Sequence, residues 1–335
     1  MLKIFSKKNN NPPIDHEADY PSWNNGFIVC ESCRKQIYFN GLEPLSFSLC
    51  PFCNTNNYIP MLIDHYWMYE PLGGGGMGSV YKSISFRDNS TFAIKILQRK
   101  EKKNRYIVNT LIREGQIATK ISSHPNIGSV FECGNIKDEY FIVSEFLEGS
   151  RLDRCITDND NIPEEKILSW GLQLLSALQH IYNCGYLYRD LKPQNLIVST
   201  NGRDIKIIDF GLTIEISKSG VNDGDSIEGS PQYFPPERCN FEEENMFSEI
   251  YSLGMVLFYC FTGEPYYSSD SIMGLLQQHV RRLRVRSVAA RLPDINPDIV
   301  KILDKMIKRD PAKRYQTYQT AYEDIKKIYD MYRYC

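Results

Sequence analysis

Four polar side chains within one short stretch have the types and spacing for proton transfer and metal binding. Asp190 could accept the proton of an attacking hydroxyl group, and Lys192 could offset the charge of a phosphoryl group in transit. Asn195 and Asp209 offer hard oxygen donors of the kind that Mg²⁺ prefers. This combination indicates the chemistry of phosphoryl transfer.

The residues between Asn195 and Asp209 predict a short β-hairpin. Leu196–Val198 is an apolar run, Asn201-Gly202 supplies a two-residue turn, and Ile205–Ile208 alternates into a second strand. Such a hairpin would place Asn195 and Asp209 at neighbouring strand ends, where both side chains could bind one metal ion.

The segment Tyr188–Asn195, followed by Asp209-Phe210-Gly211, closely resembles the catalytic loop and metal-binding motif of eukaryotic-type (Hanks-type) protein kinases. Two such motifs, in order and one hairpin apart, form a strong signal. The resemblance implies that Asp190 and Lys192 are catalytic and that Asn195 and Asp209 bind Mg²⁺. It covers roughly residues 66–332 and implies ATP as the phosphoryl donor.

A glycine-rich segment could fold closely over phosphates, because its backbone carries few Cβ atoms. It reads G-x-G-x-x-G-x-V at Gly73, Gly75, Gly78 and Val80. Rossmann folds share this glycine spacing, so the motif alone does not distinguish them from kinases. The residues that follow favour the kinase interpretation, because a strand leads to Lys95 with no crossover helix between. The whole segment resembles the small lobe of bacterial members of the kinase family.

The resemblance also implies the residues that enclose the nucleotide. Lys95 would bind the phosphates, and the adenine would lie between Val80 and Ala93 on one side and Ile197 on the other. Glu145–Leu147 would be the hinge, with Glu145 and Leu147 offering backbone groups to the adenine edge. Ser144 would stand at the back of this pocket and leave room for bulky inhibitors.

Glu114 lies on the apolar stripe of a helix predicted over residues 105–122. Leu111, Glu114, Ala118 and Ile121 follow one another at helical spacing, so a carboxylate faces inward and needs a partner. Lys95 is the expected partner, as in active kinases. The alternative places Glu114 at the helix edge while Glu101 or another group holds Lys95.

Three departures from the usual kinase pattern concern the large lobe. Tyr188 stands where many kinases have His, and its ring is expected to pack under Phe210. Glu249 stands where an Asp customarily holds the backbone of the catalytic loop. Pro235 replaces the usual Ala before a Pro-Glu pair, and Glu237 of that pair is expected to bind Arg314.

Arg189 precedes Asp190, as in kinases that are regulated by phosphorylation of the activation loop. A phosphate on that loop, residues 212–228, could pair with Arg189 and order the loop. The candidate acceptors are Thr213, Ser217, Ser219 and Ser226. The alternative is an exposed polar loop that carries no regulatory phosphate.

The N-terminal part of the chain contains two Cys-x-x-Cys motifs separated by sixteen residues, 34–49. Their cysteines are Cys30, Cys33, Cys50 and Cys53. This spacing resembles a zinc ribbon with four thiolates on a structural Zn²⁺, and iron or disulfides are the alternatives. So short a unit would need the metal to fold. It carries few cations, so a protein contact is expected there rather than nucleic acid.

Length and composition bound the remaining possibilities. The chain has 335 residues, so two domains or a bilobal one is expected. A net charge of −2 gives no general attraction to nucleic acid or membranes, and no apolar run is long enough to span a bilayer. Six further cysteines without regular spacing indicate unpaired thiols in a reducing compartment. A cytoplasmic protein without a secretory signal is therefore expected.

These observations predict an α+β chain with a bilobal kinase fold behind a small zinc-ribbon-like β domain. The expected parts are a flexible arm over residues 1–22, the ribbon over 23–62, the small lobe over 63–147 and the large lobe over 148–335. The expected function is transfer of the ATP γ-phosphoryl group to Ser or Thr hydroxyls of proteins, including its own activation loop. The alternatives are a pseudokinase scaffold that binds a partner through the ribbon, and a nucleic-acid reader built on the ribbon.

Overall fold

The computed structural model describes residues 25–38, 40–74, 78–158, 162–220, 228–281 and 287–333. The chain divides into two compact units. The first comprises the described residues up to Asn109 together with Cys133–Phe146, and the second comprises Thr110–Glu132 and the described residues from Leu147 onward. The arm predicted over residues 1–22 lies outside the described residues.

The first unit begins with two short antiparallel hairpins, which we call the cysteine ribbon (residues 27–59). Phe27 pairs with Tyr38 in the first hairpin and Ser46 pairs with Ile59 in the second. The strands are β1 (Phe27–Val29), β2 (Gln36–Tyr38), β3 (Ser46–Leu49) and β4 (Asn56–Ile59). Their apolar core is small, so the ribbon buries little surface of its own.

A six-stranded sheet follows, in the order β5-β6-β7-β8-β10-β9. Its strands are β5 (Met61–Ile63), β6 (Tyr66–Gly74), β7 (Gly78–Ser85), β8 (Thr91–Leu97), β9 (Val130–Ile136) and β10 (Glu139–Glu145). The apolar run of residues 140–143 lies within β10, which extends beyond it at each end.

The two faces of this sheet have different roles, because side chains alternate along a strand. One face carries the apolar core of the unit, which includes Tyr81, Ile94 and Phe141. Side chains from the cysteine ribbon and the strand after it pack against that core, namely Leu45, Tyr58 and Met61. The ribbon therefore packs on the face of the sheet that carries this core.

The helices lie mainly in the second unit. They are α1 (Arg105–Ile121), α2 (Leu152–Thr157), α3 (Glu164–Asn183), α4 (Pro236–Cys239), α5 (Met246–Thr262), α6 (Ile272–Val280), α7 (Val288–Arg291), α8 (Pro297–Met306) and α9 (Tyr318–Arg333). Short strands accompany them: β11 (Gly149–Arg151), β12 (Tyr186–Leu187), β13 (Leu196–Ser199), β14 (Ile205–Ile207) and β15 (Ile214–Glu215). None of the described helices combines the length and apolar character that a membrane span requires.

Two helices form the centre of the second unit, and their ends follow from local chemistry. α5 starts at a capping box in which Asn245 and Ser248 satisfy each other's backbone N–H groups, and it ends at Gly263 with φ 70°. α3 starts after Pro163 and ends shortly before Gly185, which has φ 89°, and both residue types are typical of these positions. α5 is buried along most of its length, so residues on it can hold the catalytic loop firmly.

Candidate active site

Asp190 lies at the centre of a small hydrogen-bond network. Its Oδ2 atom accepts a hydrogen bond from Lys192 Nζ at 2.7 Å and another from Asn195 Nδ2 at 2.7 Å. Asn195 Nδ2 also donates to the Asp190 carbonyl at 3.0 Å. Asp190 and Asn195 are both buried, so these contacts fix the orientation of the carboxylate and of the amide.

The predicted hairpin joins Asn195 to Asp209. β13 and β14 pair antiparallel, with Leu196 opposite Ile207, and Ile208 N donates to Asn195 O at 2.9 Å. Asn195 and Asp209 therefore stand at neighbouring strand ends, as expected. Asp209 has φ 66°, a left-handed conformation that is uncommon for a non-glycine residue and typical of functional sites.

The predicted two-residue turn of this hairpin is wrong, because residues 200–204 form a longer loop. Asn201 Oδ1 accepts hydrogen bonds from Arg203 N and Ser199 Oγ, both at 2.8 Å. Ser199 N donates to Asp204 O at 2.9 Å and closes the loop. The Asn201 side chain thus stabilises a loop of five residues, three more than the predicted turn.

Tyr188 packs as predicted. Its ring lies 5.8 Å from the ring of Phe210 in an edge-to-face arrangement, and its hydroxyl donates to Ile208 O at 2.7 Å. Complete burial raises the pKa of Tyr188 well above the usual value, so the hydroxyl stays neutral. The Tyr side chain therefore ties the catalytic loop to the strand that precedes Asp209.

Glu249 on α5 holds the backbone of the catalytic loop. Its Oε1 accepts hydrogen bonds from Tyr188 N at 2.6 Å and Arg189 N at 3.0 Å, and Tyr318 OH donates to Oε2 at 2.6 Å. Burial raises the pKa of Glu249, although these three donors act in the opposite direction. The extra methylene relative to Asp is absorbed without loss of the backbone contacts.

Arg189, the expected partner of an activation-loop phosphate, pairs here with a carboxylate of the protein. Its Nη2 lies 2.6 Å from Glu244 Oε1, and the Nη2 of Arg238 lies 2.6 Å from Glu244 Oε2. Arg238 Nη1 also donates to the carbonyl of Arg189 at 2.6 Å. We call Arg189, Arg238 and Glu244 the arginine–glutamate cluster.

The predicted pair of Glu237 and Arg314 is confirmed. Arg314 donates through Nη2 to Glu237 Oε1 at 2.8 Å and through Nη1 to Oε2 at 3.0 Å, a two-pronged contact. Ser248 Oγ donates to the same carboxylate at 2.9 Å. The pair is completely buried, so it joins the segment after the activation loop to the C-terminal part of the unit.

Glu114 is buried on α1, as its place on the apolar stripe predicts. A Cβ atom at Gly211 would lie 3.4 Å from a carboxylate oxygen of Glu114 and 3.4 Å from Asp209 Oδ1. Gly211 thus lets the Glu114 and Asp209 carboxylates approach the same backbone. The Lys95–Glu114 pair joins residues of the two units and stays a prediction.

In the first unit, Val80, Ala93 and Lys95 share one face of the sheet. Val80 lies opposite Lys95 in the pairing of β7 with β8, and Ala93 is two residues from Lys95 on the same strand. Ser144 lies opposite Ala93, and its hydroxyl donates to Ala93 O at 3.0 Å. The core against which Leu45 and Tyr58 of the cysteine ribbon pack lies on the opposite face.

The remaining predicted nucleotide-binding residues fall in several elements. Gly78 packs so closely on β8 that a Cβ atom would lie 2.9 Å from Ile96 O, and Gly73 has φ 159° at the end of β6. Glu145 ends β10, whereas Leu147 and Ile197 are half-buried residues of the second unit. Gly75 lies outside the described residues.

The candidate phosphate acceptors differ in accessibility. Thr213 is buried, and its hydroxyl donates to Tyr188 O at 3.4 Å. Ser219 is also buried, whereas Ser217 is exposed. Ser226 lies outside the described residues. Ser217 is therefore the accessible hydroxyl among the three described candidates.

The four predicted metal ligands come together in the cysteine ribbon. The sulfur atoms of Cys30, Cys33, Cys50 and Cys53 all lie within 4.8 Å of one another, a group that could hold a metal ion. The two Cys-x-x-Cys motifs share one backbone hydrogen-bond pattern: Arg34 N donates to Cys30 O, and Asn54 N donates to Cys50 O. Arg34 and Asn54 have φ of 60° and 57°, so each chain segment turns back in the same way.

Sequence reasoning missed Arg238 and Glu244 entirely. Both are charged residues in a short segment between two motifs that are buried, Pro235–Glu237 and Ser248–Gly254. Their position between these motifs could have indicated that they are buried too. Charged residues are seldom fully buried without partners, so a buried location would have required them to pair. Sequence spacing alone does not reveal which of the three consecutive glutamates, Glu242–Glu244, points inward.

Comparison with known proteins agrees with this geometry. Residues 66–324 match the family model described as "Protein kinase domain". The chain is 31% identical over 265 residues to the serine/threonine-protein kinase PrkC of Bacillus subtilis, covering 79% of this chain and 40% of PrkC. It is 28% identical over 275 residues to the serine/threonine-protein kinase PknB of Mycobacterium tuberculosis, covering 80% of this chain and 44% of PknB.

Among solved structures, the kinase domain of PknI from Mycobacterium tuberculosis has the same fold, with a TM-score of 0.63 and 19% identity. That match covers 80% of this chain and 97% of the PknI domain. The chain spans less than half the length of PrkC and PknB. Because the family model accounts for most of its residues, the chain belongs to the protein kinase domain family.

Proposed function

We propose that the protein is an ATP-dependent serine/threonine protein kinase, which transfers a phosphoryl group to Ser or Thr hydroxyls of protein substrates. The observation that carries the proposal is the network in which Lys192 and Asn195 both donate to Asp190 Oδ2. The Ser/Thr class is supported by Lys192 within Asp-Leu-Lys-Pro and by Ser230 after Gly229. PrkC and PknB carry the same class in their names.

The residues fit Mg²⁺ at Asn195 and Asp209. Because Asn195 Nδ2 donates to Asp190, the amide oxygen is the atom of Asn195 that suits a cation. Asp209 adds a carboxylate at the neighbouring strand end. When bound, Mg²⁺ would offset the negative charge of the ATP phosphates.

The chain's own residues position the reactants. Asp190 would orient the substrate hydroxyl and accept its proton, since Lys192 and Asn195 hold its carboxylate in place. Lys192 would also offset charge on the transferring group. We assign Lys95, oriented by Glu114, to the ATP phosphates.

The other nucleotide contacts are assigned to the glycine-rich segment and the hinge. Backbone at Gly73, Gly75 and Gly78 would cover the phosphates, and Glu145 and Leu147 would present backbone groups to the adenine edge. Val80, Ala93 and Ile197 would enclose the adenine ring. Support comes from the shared sheet face of Val80, Ala93 and Lys95.

We further propose that residues 23–62 form a structural zinc ribbon ahead of small and large lobes over 63–147 and 148–335. Cys30 Sγ and Cys53 Sγ are 3.5 Å apart, and Cys33 Sγ and Cys50 Sγ are 3.6 Å apart. Four thiolates on Zn²⁺ at about 2.3 Å would have sulfur–sulfur edges of about 3.8 Å, so the ligand set fits the ion. A cytoplasmic location is proposed from the same cysteine usage.

The ribbon is also proposed to contact a protein partner. Four of its large apolar side chains are more than half exposed: Tyr38, Phe47, Leu49 and Phe52. Such exposure supports a protein contact rather than a nucleic-acid one. The alternative function, a nucleotide-binding pseudokinase scaffold, would use this surface without phosphoryl transfer.

The test is phosphoryl transfer from labelled ATP with Mg²⁺ to a generic acceptor protein. Asp190→Asn is expected to lower the rate by at least about a hundredfold, because the proton acceptor loses its charge. Asp204→Asn is a matched control, since Asp204 is an exposed carboxylate in the adjacent hairpin loop. No transfer by wild type despite bound ATP would favour the scaffold. Equal nonzero rates for Asp190→Asn and wild type would overturn the catalytic role of Asp190.

A further inference from the structure

The arginine–glutamate cluster lies directly before the candidate catalytic Asp190. Arg189 has φ 70°, a conformation that costs free energy for a non-glycine residue and must be held by its surroundings. Three contacts hold it. Its amide donates to Glu249, its guanidinium pairs with Glu244, and its carbonyl accepts from Arg238.

Glu244 is the anion that both arginines of the cluster share. Arg189 Nε donates to Oε1 at 2.9 Å, and Arg238 Nε donates to the same oxygen at 3.0 Å. The Glu244 side chain is 4% exposed and that of Arg238 is 6% exposed. The guanidinium of Arg238 is buried and that of Arg189, whose side chain is 27% exposed, is partly buried. The two cations repel each other at this short distance, and the Glu244 carboxylate between them offsets the repulsion.

Charge and burial act on these groups in opposite directions. Burial lowers the pKa of Arg189, and the nearby Arg238 lowers it further, whereas Glu244 raises it. Burial alone would raise the pKa of Glu244, but the charges of Arg238 and Arg189 lower it below the usual value. Glu244 is therefore ionised at neutral pH, with a full negative charge beside Arg189.

A phosphate on an activation loop would act on Arg189 through this same chemistry, an anion paired with a guanidinium. Here the anion belongs to the loop before α5, and α5 is the buried helix that also carries Glu249. The cluster therefore anchors the catalytic loop to α5 through charge as well as through backbone hydrogen bonds. The anion is always present, whatever the state of the activation loop.

We propose that Glu244 is a positioning residue that takes the place of an activation-loop phosphate, so that the catalytic loop is held for phosphoryl transfer without loop phosphorylation. The inference rests on the kinase activity proposed above. It adds that the kinase activity does not depend on phosphorylation of the activation loop, residues 212–228. Any regulation of the activity would then act at another part of the protein.

The first experiment measures initial rates of phosphoryl transfer to an acceptor protein. Wild type is treated with phosphatase, and its mass is checked to confirm that no phosphate remains. A variant with Ser217, Ser219 and Ser226 changed to Ala removes the serine acceptors of the loop, and the remaining candidate, Thr213, is buried. Its mass after the assay confirms that no phosphate has been added to the loop. Both are expected to keep the wild-type kcat within about twofold.

The second experiment removes the charge of the cluster. Glu244→Gln is expected to lower kcat by about tenfold or more while the KM for ATP changes little, because the loop loses its anchor but the nucleotide contacts remain. Glu243→Gln is the matched control, since Glu243 is the exposed neighbour of Glu244. Its kcat should equal that of wild type.

Glu244→Gln leaves two arginines without their anion, so the variant could fail to fold. The double variant Arg238→Gln with Glu244→Gln removes one buried cation as well, and circular dichroism checks its folding. It is expected to lose kcat like the single variant and to regain part of it when the activation loop is phosphorylated. A purely packing role for Glu244 would not make activity depend on loop phosphate.

A structural measurement separates this inference from the proposed activity. Amide hydrogen exchange of residues 186–196 is expected to be faster in Glu244→Gln than in Glu243→Gln, with both proteins free of phosphate. If wild type transfers no phosphoryl group, the proposed activity fails and the exchange result alone decides the inference. Equal exchange in the two variants, or loss of wild-type activity after phosphatase treatment, overturns the role of Glu244.

Discussion

The cysteine ribbon and the catalytic loop (residues 188–195) are both held by a few buried side chains, but the sources of stabilisation differ. Among the described residues of the ribbon, the buried apolar core consists of Ile28, Ile37 and Ile59 besides the cysteines, with Leu42 packed against it. The four thiols lie close together. The catalytic loop is held by carboxylates of the protein, Glu249 and Glu244, which meet N–H groups and guanidinium groups.

This difference decides what each region requires from outside the chain. Four thiols at close distance bind one another weakly, so under the zinc assignment proposed above the ribbon would take much of its free energy of folding from the metal ion. The catalytic loop is already surrounded by charges of both signs, from Glu249 on α5, Glu244 in the loop before α5 and Arg238 on α4. We therefore expect the ribbon to respond to chelators and the catalytic loop to respond to pH.

The largest expected effect is the loss of ribbon structure on metal removal. Binding of a structural zinc ion contributes about 10–16 kcal/mol, far more than a ribbon of this size gains from its apolar core. A strong chelator should abolish the amide protection of residues 27–59 in hydrogen exchange. The protection of α3 and α5 should remain, because their cores contain no cysteine of the cluster.

Cysteine variants sharpen this test. Cys50→Ser with Cys53→Ser should reproduce the effect of the chelator. Cys184→Ser is the control, since Cys184 is an exposed cysteine of the second unit. Retained protection of the ribbon in the double variant would show that the metal is dispensable and would remove the contrast between the two regions.

A change of pH is expected to have an intermediate effect on stability, through the two carboxylates beside the catalytic loop. The pKa of Glu244 is lowered in the folded protein, so its stabilisation is present above the usual pKa of 4.5 and is lost as the pH falls below it. The pKa of Glu249 is raised by burial, so its contribution to stability falls as the pH rises through 4.5 and above.

The opposite pH dependences of these two contributions can be measured as changes in the free energy of unfolding of Gln variants. Glu244→Gln should cost about 1–3 kcal/mol or more near pH 7 and less in acid, because the wild-type carboxylate is then protonated. Glu249→Gln should cost more in acid than near pH 7. Urea denaturation of the second unit at several pH values gives both costs, and parallel pH profiles for the two variants would contradict the assignment of charges.

The smallest expected effect concerns the contact between the ribbon and the sheet. Tyr58 stacks on Tyr81 with ring centroids 6.0 Å apart. A double-mutant cycle of Tyr58→Ala and Tyr81→Ala should give a coupling free energy of about 1 kcal/mol, measured on the unfolding of the first unit with metal bound.

The control cycle pairs Tyr81→Ala with Tyr38→Ala, since Tyr38 is an exposed ring in the other hairpin of the ribbon. Its coupling should be close to zero. Equal coupling free energies in the two cycles would mean that the Tyr58–Tyr81 contact does not stabilise the packing of the ribbon on the sheet.

Several details were predictable from the sequence because they depend on local patterns. The place of Glu114 on the buried stripe of α1 followed from helical periodicity, and the hairpin between Asn195 and Asp209 followed from alternating apolar residues. The length of the hairpin loop was not predictable, because the Asn201 side chain closes a wider turn through its own hydrogen bonds.

The family of the chain was predictable from the sequence, since the motifs around Asp190 and Asp209 are defined by residue type and spacing. The packing of the ribbon on the sheet and the choice of Glu244 as the glutamate that binds Arg189 became visible in the folded protein alone. The physical reason is that a buried charge selects its partner by distance and desolvation in three dimensions, and neither is encoded in the spacing along the chain.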